Sequence, residues 1–118
     1  MASNAKISMT LQYPPEDNAS DVQIPKIVNI TGFTEKVDST FVLSIGDGLE
    51  LNLGSVESAK AIYISTTEEI TVHLNSSITG FMLAADGVFL LVGGPSAIES
   101  ITVDVTVEGT SIRLWAIE

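Results

Sequence analysis

The sequence contains no cysteine. That absence removes disulfides, thiolate metal sites, redox motifs and a thiol nucleophile together. It leaves the compartment open, because a chain with a sufficient core needs no disulfide anywhere. Histidine occurs once, at His73. The common zinc sets need more imidazole or thiolate than that, so the expectation is no metal and no cofactor. Cations are scarce: five Lys and Arg stand against fifteen Asp and Glu, for a net charge of −10. Lys6, Lys26, Lys36, Lys60 and Arg113 are scattered along the chain. Phosphate recognition needs clustered cations, so nucleic acid is an unfavourable partner, and an anionic membrane surface is equally so. Long apolar runs are also missing. The longest, Val88-Phe89-Leu90-Leu91-Val92, falls far short of the roughly 20 residues that carry a helix across a bilayer. The first residues, Met1 to Lys6, lack the apolar stretch of a signal peptide, so a chain soluble as made is expected.

What remains is apolar without being charged. Hydrophobic residues make up 45% of the 118 positions and charged residues 17%, which excludes a charge-swollen disordered chain. The length suits one domain, 1–118, with residues 1–6 reading as a flexible N-terminal arm. The acidic balance reads as a solubilising surface, or as a surface that meets a basic face of a larger assembly.

Alternation with a period of two runs through almost the whole chain and predicts strands. Ile7, Met9, Leu11 and Tyr13 alternate with polar residues, and Pro14 to Asn18 closes that strand with turn residues. Val22 to Ile30 follows, broken by Pro25, which lacks a backbone donor and so demands a sheet edge or a bulge. Phe41, Leu43 and Ile45, then Leu49, Leu51 and Leu53, flank Gly46-Asp47-Gly48, the pattern of a β-hairpin. Ala61 to Ile64 is continuous enough for a central strand. Ile70 to Leu74, Phe81 to Leu83 and Val88 to Val92 come next, and Gly93 to Ser96 is the strongest breaker. Ile101, Val103, Val105 and Val107 share one phase of a further strand. In the last strand Ile112 and Leu114 oppose Arg113 and Trp115. The pattern predicts an all-β fold: an antiparallel β-sandwich or jelly-roll-like barrel of about 8–10 strands.

Chemistry is harder to find. His73 could serve a Ser-His-Asp relay, yet no spacing singles out Ser39, Ser76 or Ser96 as its nucleophile, and a surface strand histidine is the simpler reading. Asp47 to Glu50 and Glu16-Asp17 offer oxygen ligands but not the alternating twelve-residue calcium loop. Glu68 and Glu69 are adjacent, and on a strand would point to opposite faces rather than pair across a cleft. Gly93-Gly94-Pro95 has no following lysine and reads as a turn, not a phosphate loop. No catalytic residue is assigned, and a non-enzymatic protein is expected. Among the aromatics, Trp115 stands off the core phase of its strand and is the first interface candidate, with Tyr13 and Phe33 beside turn-rich segments after it. Together with Tyr63 these rings could also form a platform for a sugar.

The order of segments in the second half carries a resemblance. Leu49-Glu50-Leu51-Asn52-Leu53-Gly54 is followed by Ala61-Ile62-Tyr63-Ile64, Glu69-Ile70-Thr71-Val72-His73-Leu74, Asp86-Gly87-Val88-Phe89-Leu90-Leu91 and Ile98-Glu99-Ser100-Ile101-Thr102-Val103. A Gly109 turn and a final strand close the series. Over about residues 49 to 117 this resembles small β-rich virion structural proteins of tailed bacteriophages. It is a pattern of strand and turn types rather than an active-site motif. The resemblance implies a capsid decoration (cement) protein on the outside of the head lattice, or a tail, baseplate or head-fibre component. It implies major capsid or tail proteins as partners, a trimeric or dimeric homo-oligomer, and residence in the virion after assembly in the host cytoplasm. Residues 1–6 would then serve as a tether to neighbouring subunits. A carbohydrate- or receptor-binding β-module is the alternative.

Overall fold

The computed structural model describes residues 3–14, 22–93 and 97–118. Pro15 to Asn18 and Gly94 to Ser96, where turns were expected, lie outside the described residues, as do Met1 and Ala2 of the expected arm. Ten strands account for the described regular structure. The chain divides into two compact units, Met1–Thr34 and Glu35–Glu118.

The first unit is a two-stranded antiparallel ribbon. β1 (Ser3–Tyr13) pairs with β2 (Val22–Phe33) over nearly its whole length, with one register shift between Ser3 and Ala5. Ser3 to Lys6 therefore belong to a strand. β2 runs through Pro25 without a break, and it does so as an edge strand, which is where a residue without an N–H is tolerated.

The second unit holds two four-stranded sheets, ordered β3-β10-β5-β8 and β4-β9-β6-β7. Their strands are β3 (Lys36–Leu43), β4 (Gly46–Glu50), β5 (Ala61–Thr66), β6 (Ile70–Leu74), β7 (Phe81–Leu83), β8 (Val88–Val92), β9 (Ile101–Val105) and β10 (Thr110–Ile117). The pairing is nested: β3 with β10, β4 with β9, β5 with β8 and β6 with β7, all antiparallel. Successive pairs alternate between the two sheets, which is the jelly-roll order of two interlocked Greek keys. The expected sandwich is thus present, and its connectivity is the jelly-roll variant.

Alternation explains the core. Ile62 and Ile64 of β5 and Ile112, Leu114 and Ala116 of β10 point inward from one sheet. Ile70 and Val72 of β6 and Ile101, Val103 and Val105 of β9 meet them from the other, and all are essentially inaccessible to water. Each large aliphatic side chain buried this way contributes on the order of 1.5–3 kcal/mol. Phe81 and Phe89 pack with ring centroids 4.6 Å apart against the rim of the same core. The buried hydroxyls of Thr66 and Thr110 donate to the carbonyls of Glu68 and Val107, at 2.7 and 2.6 Å.

Two expectations are corrected. Gly46-Asp47-Gly48 does not turn a hairpin. β3 and β4 sit in different sheets, and the three residues form an irregularity where β4 shifts register against β9 between Gly46 and Leu49. Gly48 takes a φ of +63°, which a glycine adopts freely, and this turns its N–H onto Asp104 Oδ1 at 2.8 Å. Val107 does not continue the inward phase of β9. That strand ends at Val105, and Val107 lies 41% exposed in the turn to β10.

Candidate functional site

The outward faces of the two sheets differ in chemistry. On the β4-β9-β6-β7 sheet, Glu50, Thr102, Asp104, Thr71 and His73 project outward with an exposed Met82, in rows fixed by the pairings Glu50–Thr102, Thr102–His73, Asp104–Thr71 and Thr71–Met82. On the β3-β10-β5-β8 sheet, Trp115 stands directly opposite Tyr63, and Tyr63 opposite Leu90. The next row sets Arg113 opposite Ser65, and Ser65 opposite Val88. All three members of the Trp115–Tyr63–Leu90 row are half-buried, and Val88 is exposed. Arg113 donates from Nε and Nη2 to the two carboxylate oxygens of Asp38, at 3.2 and 3.1 Å. This bidentate pair stands where the Trp115 row meets the β3 edge, because Asp38 is also the register partner of Trp115. Both side chains are well exposed, so the pair adds little stability; its effect is to hold a polar corner beside the indole.

His73 is engaged at both ring nitrogens. Nδ1 lies 2.9 Å from the Ser77 carbonyl oxygen and Nε2 lies 3.0 Å from Asp104 Oδ2. Both neighbours are acceptors, so the geometry favours the imidazolium, donating in both directions. The Asp104 hydrogen bond first, and the Ser77 carbonyl second, hold the His73 pKa above its ordinary value. Asp104 is held below the usual carboxylate range by the Gly48 N–H first and by His73 second. A ring donating from both nitrogens has no lone pair with which to take a proton from a substrate. The arrangement ties β6, β9 and the irregular start of β4 together at the surface.

The expected interface residues fall in different units. Trp115 lies on β10 of the second unit, one row from Ile117 and Ala61, which share its phase and are buried. Tyr13 lies at one end of the β1–β2 ribbon, paired with Val22, and Phe33 at the other end, paired with Ser3. Ten residue steps of strand divide Tyr13 from Ser3, about 33 Å. Ser39, on β3, pairs with Leu114 and so shares the inward phase, away from His73. Glu68 and Glu69 lie in the turn between β5 and β6. Among the described residues no group of three His, Asp or Glu side chains gathers in metal-binding geometry. Two features were missed by sequence reasoning: the union of His73 with Asp104, and the row that joins Trp115 to Leu90. Both need the strand order. The polar Ser65 two residues after Tyr63, between the apolar Ile62 and Ile64 and the buried Thr66, was the one local signal that Tyr63 faces outward.

No protein-family model matches the chain, and comparison with curated proteins and with solved structures finds no match.

Proposed function

We propose that this protein is a non-enzymatic, multi-copy structural subunit of the capsid-decoration type. It would dock on a virion lattice through the outward face of the β3-β10-β5-β8 sheet. The observation that carries this reading is the Trp115–Tyr63–Leu90 row, an apolar strip on one outer face of a sandwich whose other outer face carries Glu50, Thr102, Asp104, Thr71 and His73 beside an exposed Met82. Half-buried aromatics in register on a rigid sheet make good anchors, since little side-chain entropy is lost when they are covered. The phage-like segment order from Leu49 to Ile117 supports the same reading. So does the jelly roll, at the level of fold analogy, because viral capsid domains use it. An acidic body keeps free copies apart in solution and favours a basic patch on the partner, here the major capsid protein.

Mass spectrometry of purified particles tests this by counting copies per virion, followed by add-back of Trp115→Ala protein to particles lacking the chain. High copy number and reduced occupancy for the variant support the proposal. Absence from particles overturns it. The same row favours one second reading, a sugar-binding module, because lectin domains also use this fold and Trp115 and Tyr63 offer adjacent rings. Glycan binding lost in Trp115→Ala, with no particle association, would select that reading.

A further inference from the structure

The β1–β2 ribbon leaves a surface that its own unit does not cover. Register places Ile7, Met9, Leu11 and Tyr13 opposite Val28, Lys26, Ile24 and Val22, all on one face. Seven of those eight residues are apolar, and Leu11 and Ile24, at the centre of two adjoining rows, are 61% and 51% exposed. A two-stranded ribbon is marginal in water; three or more strands around an apolar face are needed for stability. Among the described residues the sheet ends at two strands.

The two outer edges are not equivalent. Pro25 faces Thr10, and a ladder without an orphaned carbonyl requires that this pair be a non-hydrogen-bonded one. The main-chain groups of Ser8 and Thr10 then point away from β2, along the free edge of β1. The free edge of β2 carries Pro25, without a donor, followed by Lys26; both features block further pairing. β1 presents Ile7-Ser8-Met9-Thr10-Leu11-Gln12-Tyr13, seven residues with no charge, proline or glycine. Such a segment is a template for strand addition.

Charge identifies the occupant. Residues 1–34 hold Lys6 and Lys26 against Glu16, Asp17 and Asp21, a net of −1, which leaves −9 of the chain's −10 on residues 35–118. Two copies meeting through their bodies would set −9 against −9. Meeting through their first segments, they bring together stretches of net charge −1 each.

We propose that two copies of this chain associate about a two-fold axis by antiparallel pairing of β1 with β1, centred on Met9. Ser8 of one copy exchanges main-chain hydrogen bonds with Thr10 of the other, and Met9 faces its own symmetry mate. Ile7 falls opposite Leu11, so the two apolar faces merge into one four-stranded face. The only charge on β1, Lys6, is offset from its mate by six residues, about 20 Å. The contact is isologous and closes at two copies. This inference rests on the reading of the chain as an assembling subunit and adds the partner for its ribbon.

The test uses the full chain and its lack of cysteine. Sedimentation equilibrium of the purified protein should approach twice the 12.5 kDa chain mass with rising concentration. Met9→Cys should form a disulfide-linked dimer on mild oxidation, because non-hydrogen-bonded antiparallel partners bring Cβ atoms to about 4.5–5.5 Å, within reach of a bridge after small adjustment. Ile27→Cys, on β2 and on the opposite face, should remain monomeric under the same oxidation. Ser8→Pro removes an outward N–H while sparing the pairing with β2, and should abolish the dimer. A monomer at all concentrations, or cross-linking through Ile27→Cys in place of Met9→Cys, overturns the proposal. Particle add-back keeps the functional reading separate: a monomeric chain that still docks through Trp115 sinks this inference alone. A dimer that never enters particles sinks the functional reading alone.

Discussion

His73 Nε2 and Asp104 Oδ2 stand 3.0 Å apart across neighbouring strands, linking β6 to β9 on the diagonal between two register rows. Asp104 accepts the Gly48 N–H through its other oxygen, so one carboxylate joins three strands of one sheet.

A pH dependence follows. His73 is raised by folding, so its contribution is full below the free imidazole value, about 6.5, and is lost as pH rises through the higher folded value. Asp104 is lowered by folding, so its contribution is present above the ordinary carboxylate value and is lost as pH falls through the lower folded value. The pair stabilises most strongly between those limits. Urea denaturation across a pH series should show wild type losing stability relative to His73→Gln as pH rises past neutrality. Parallel curves for the two proteins would refute the assignment.

Asn75 gives a second expectation. It sits at φ 54°, where asparagine is tolerated better than most residues. Its side chain donates to the Ala97 carbonyl at 2.9 Å and accepts from the Glu99 N–H at 2.6 Å. Asn75→Ala loses these bonds, and a longer one from the Ser100 N–H at 3.4 Å, and adds backbone strain, for a cost of about 1–3 kcal/mol. Asn75→Gly loses the bonds but not the permitted backbone, and should cost less. Urea midpoints of the two variants decide it; a glycine variant as unstable as the alanine one would leave only the hydrogen bonds at work.

Much of the body was legible because its strands bury one face. Ile70-Thr71-Val72 and Ile101 to Val105 alternate so regularly that burial could be assigned residue by residue. Val107 escaped because alternation in sequence continues past the point where β9 stops pairing. Gly46-Asp47-Gly48 misled for a related reason. Glycine and aspartate mark positive φ equally well in a hairpin turn and in an irregular strand, and only the long-range partner, β9, distinguishes them. His73 and Asp104 are 31 positions apart, so their union depends on β6 lying beside β9, a choice no local pattern records. The ribbon was legible as strands, and Pro25 as an edge residue. That its apolar face stays open depends on how many strands join it.

Strand phase in β9 is testable with neighbouring residues. Val105 is 1% exposed and points into the core, so Val105→Asp buries an unpaired carboxylate and should cost several kcal/mol, about the whole stability of a domain this size. Thr106 lies just past the strand and is exposed. Thr106→Asp should stay within about 0.5 kcal/mol of wild type. Equal damage from both, read by thermal melts, would place Thr106 against structure.

Trp115 and Leu114 separate docking from folding. Leu114 is fully buried between the sheets, and Leu114→Ala should lower stability by about 2–5 kcal/mol through lost burial and the cavity left behind. Trp115 is the larger side chain, yet it lies half-buried on the outer face beside Tyr63. Truncating a side chain that is partly open to solvent leaves no closed cavity, so Trp115→Ala should cost clearly less than Leu114→Ala. The order reverses what side-chain size alone would give. Guanidinium denaturation of the two variants measures the difference, and far-ultraviolet circular dichroism should show the same strand spectrum for Trp115→Ala as for wild type. If Trp115→Ala is the more damaging of the two, the indole is part of a core, and any loss of docking in that variant would report unfolding. If it folds and melts near wild type, its failure to occupy a particle lattice can be read as the loss of an anchor.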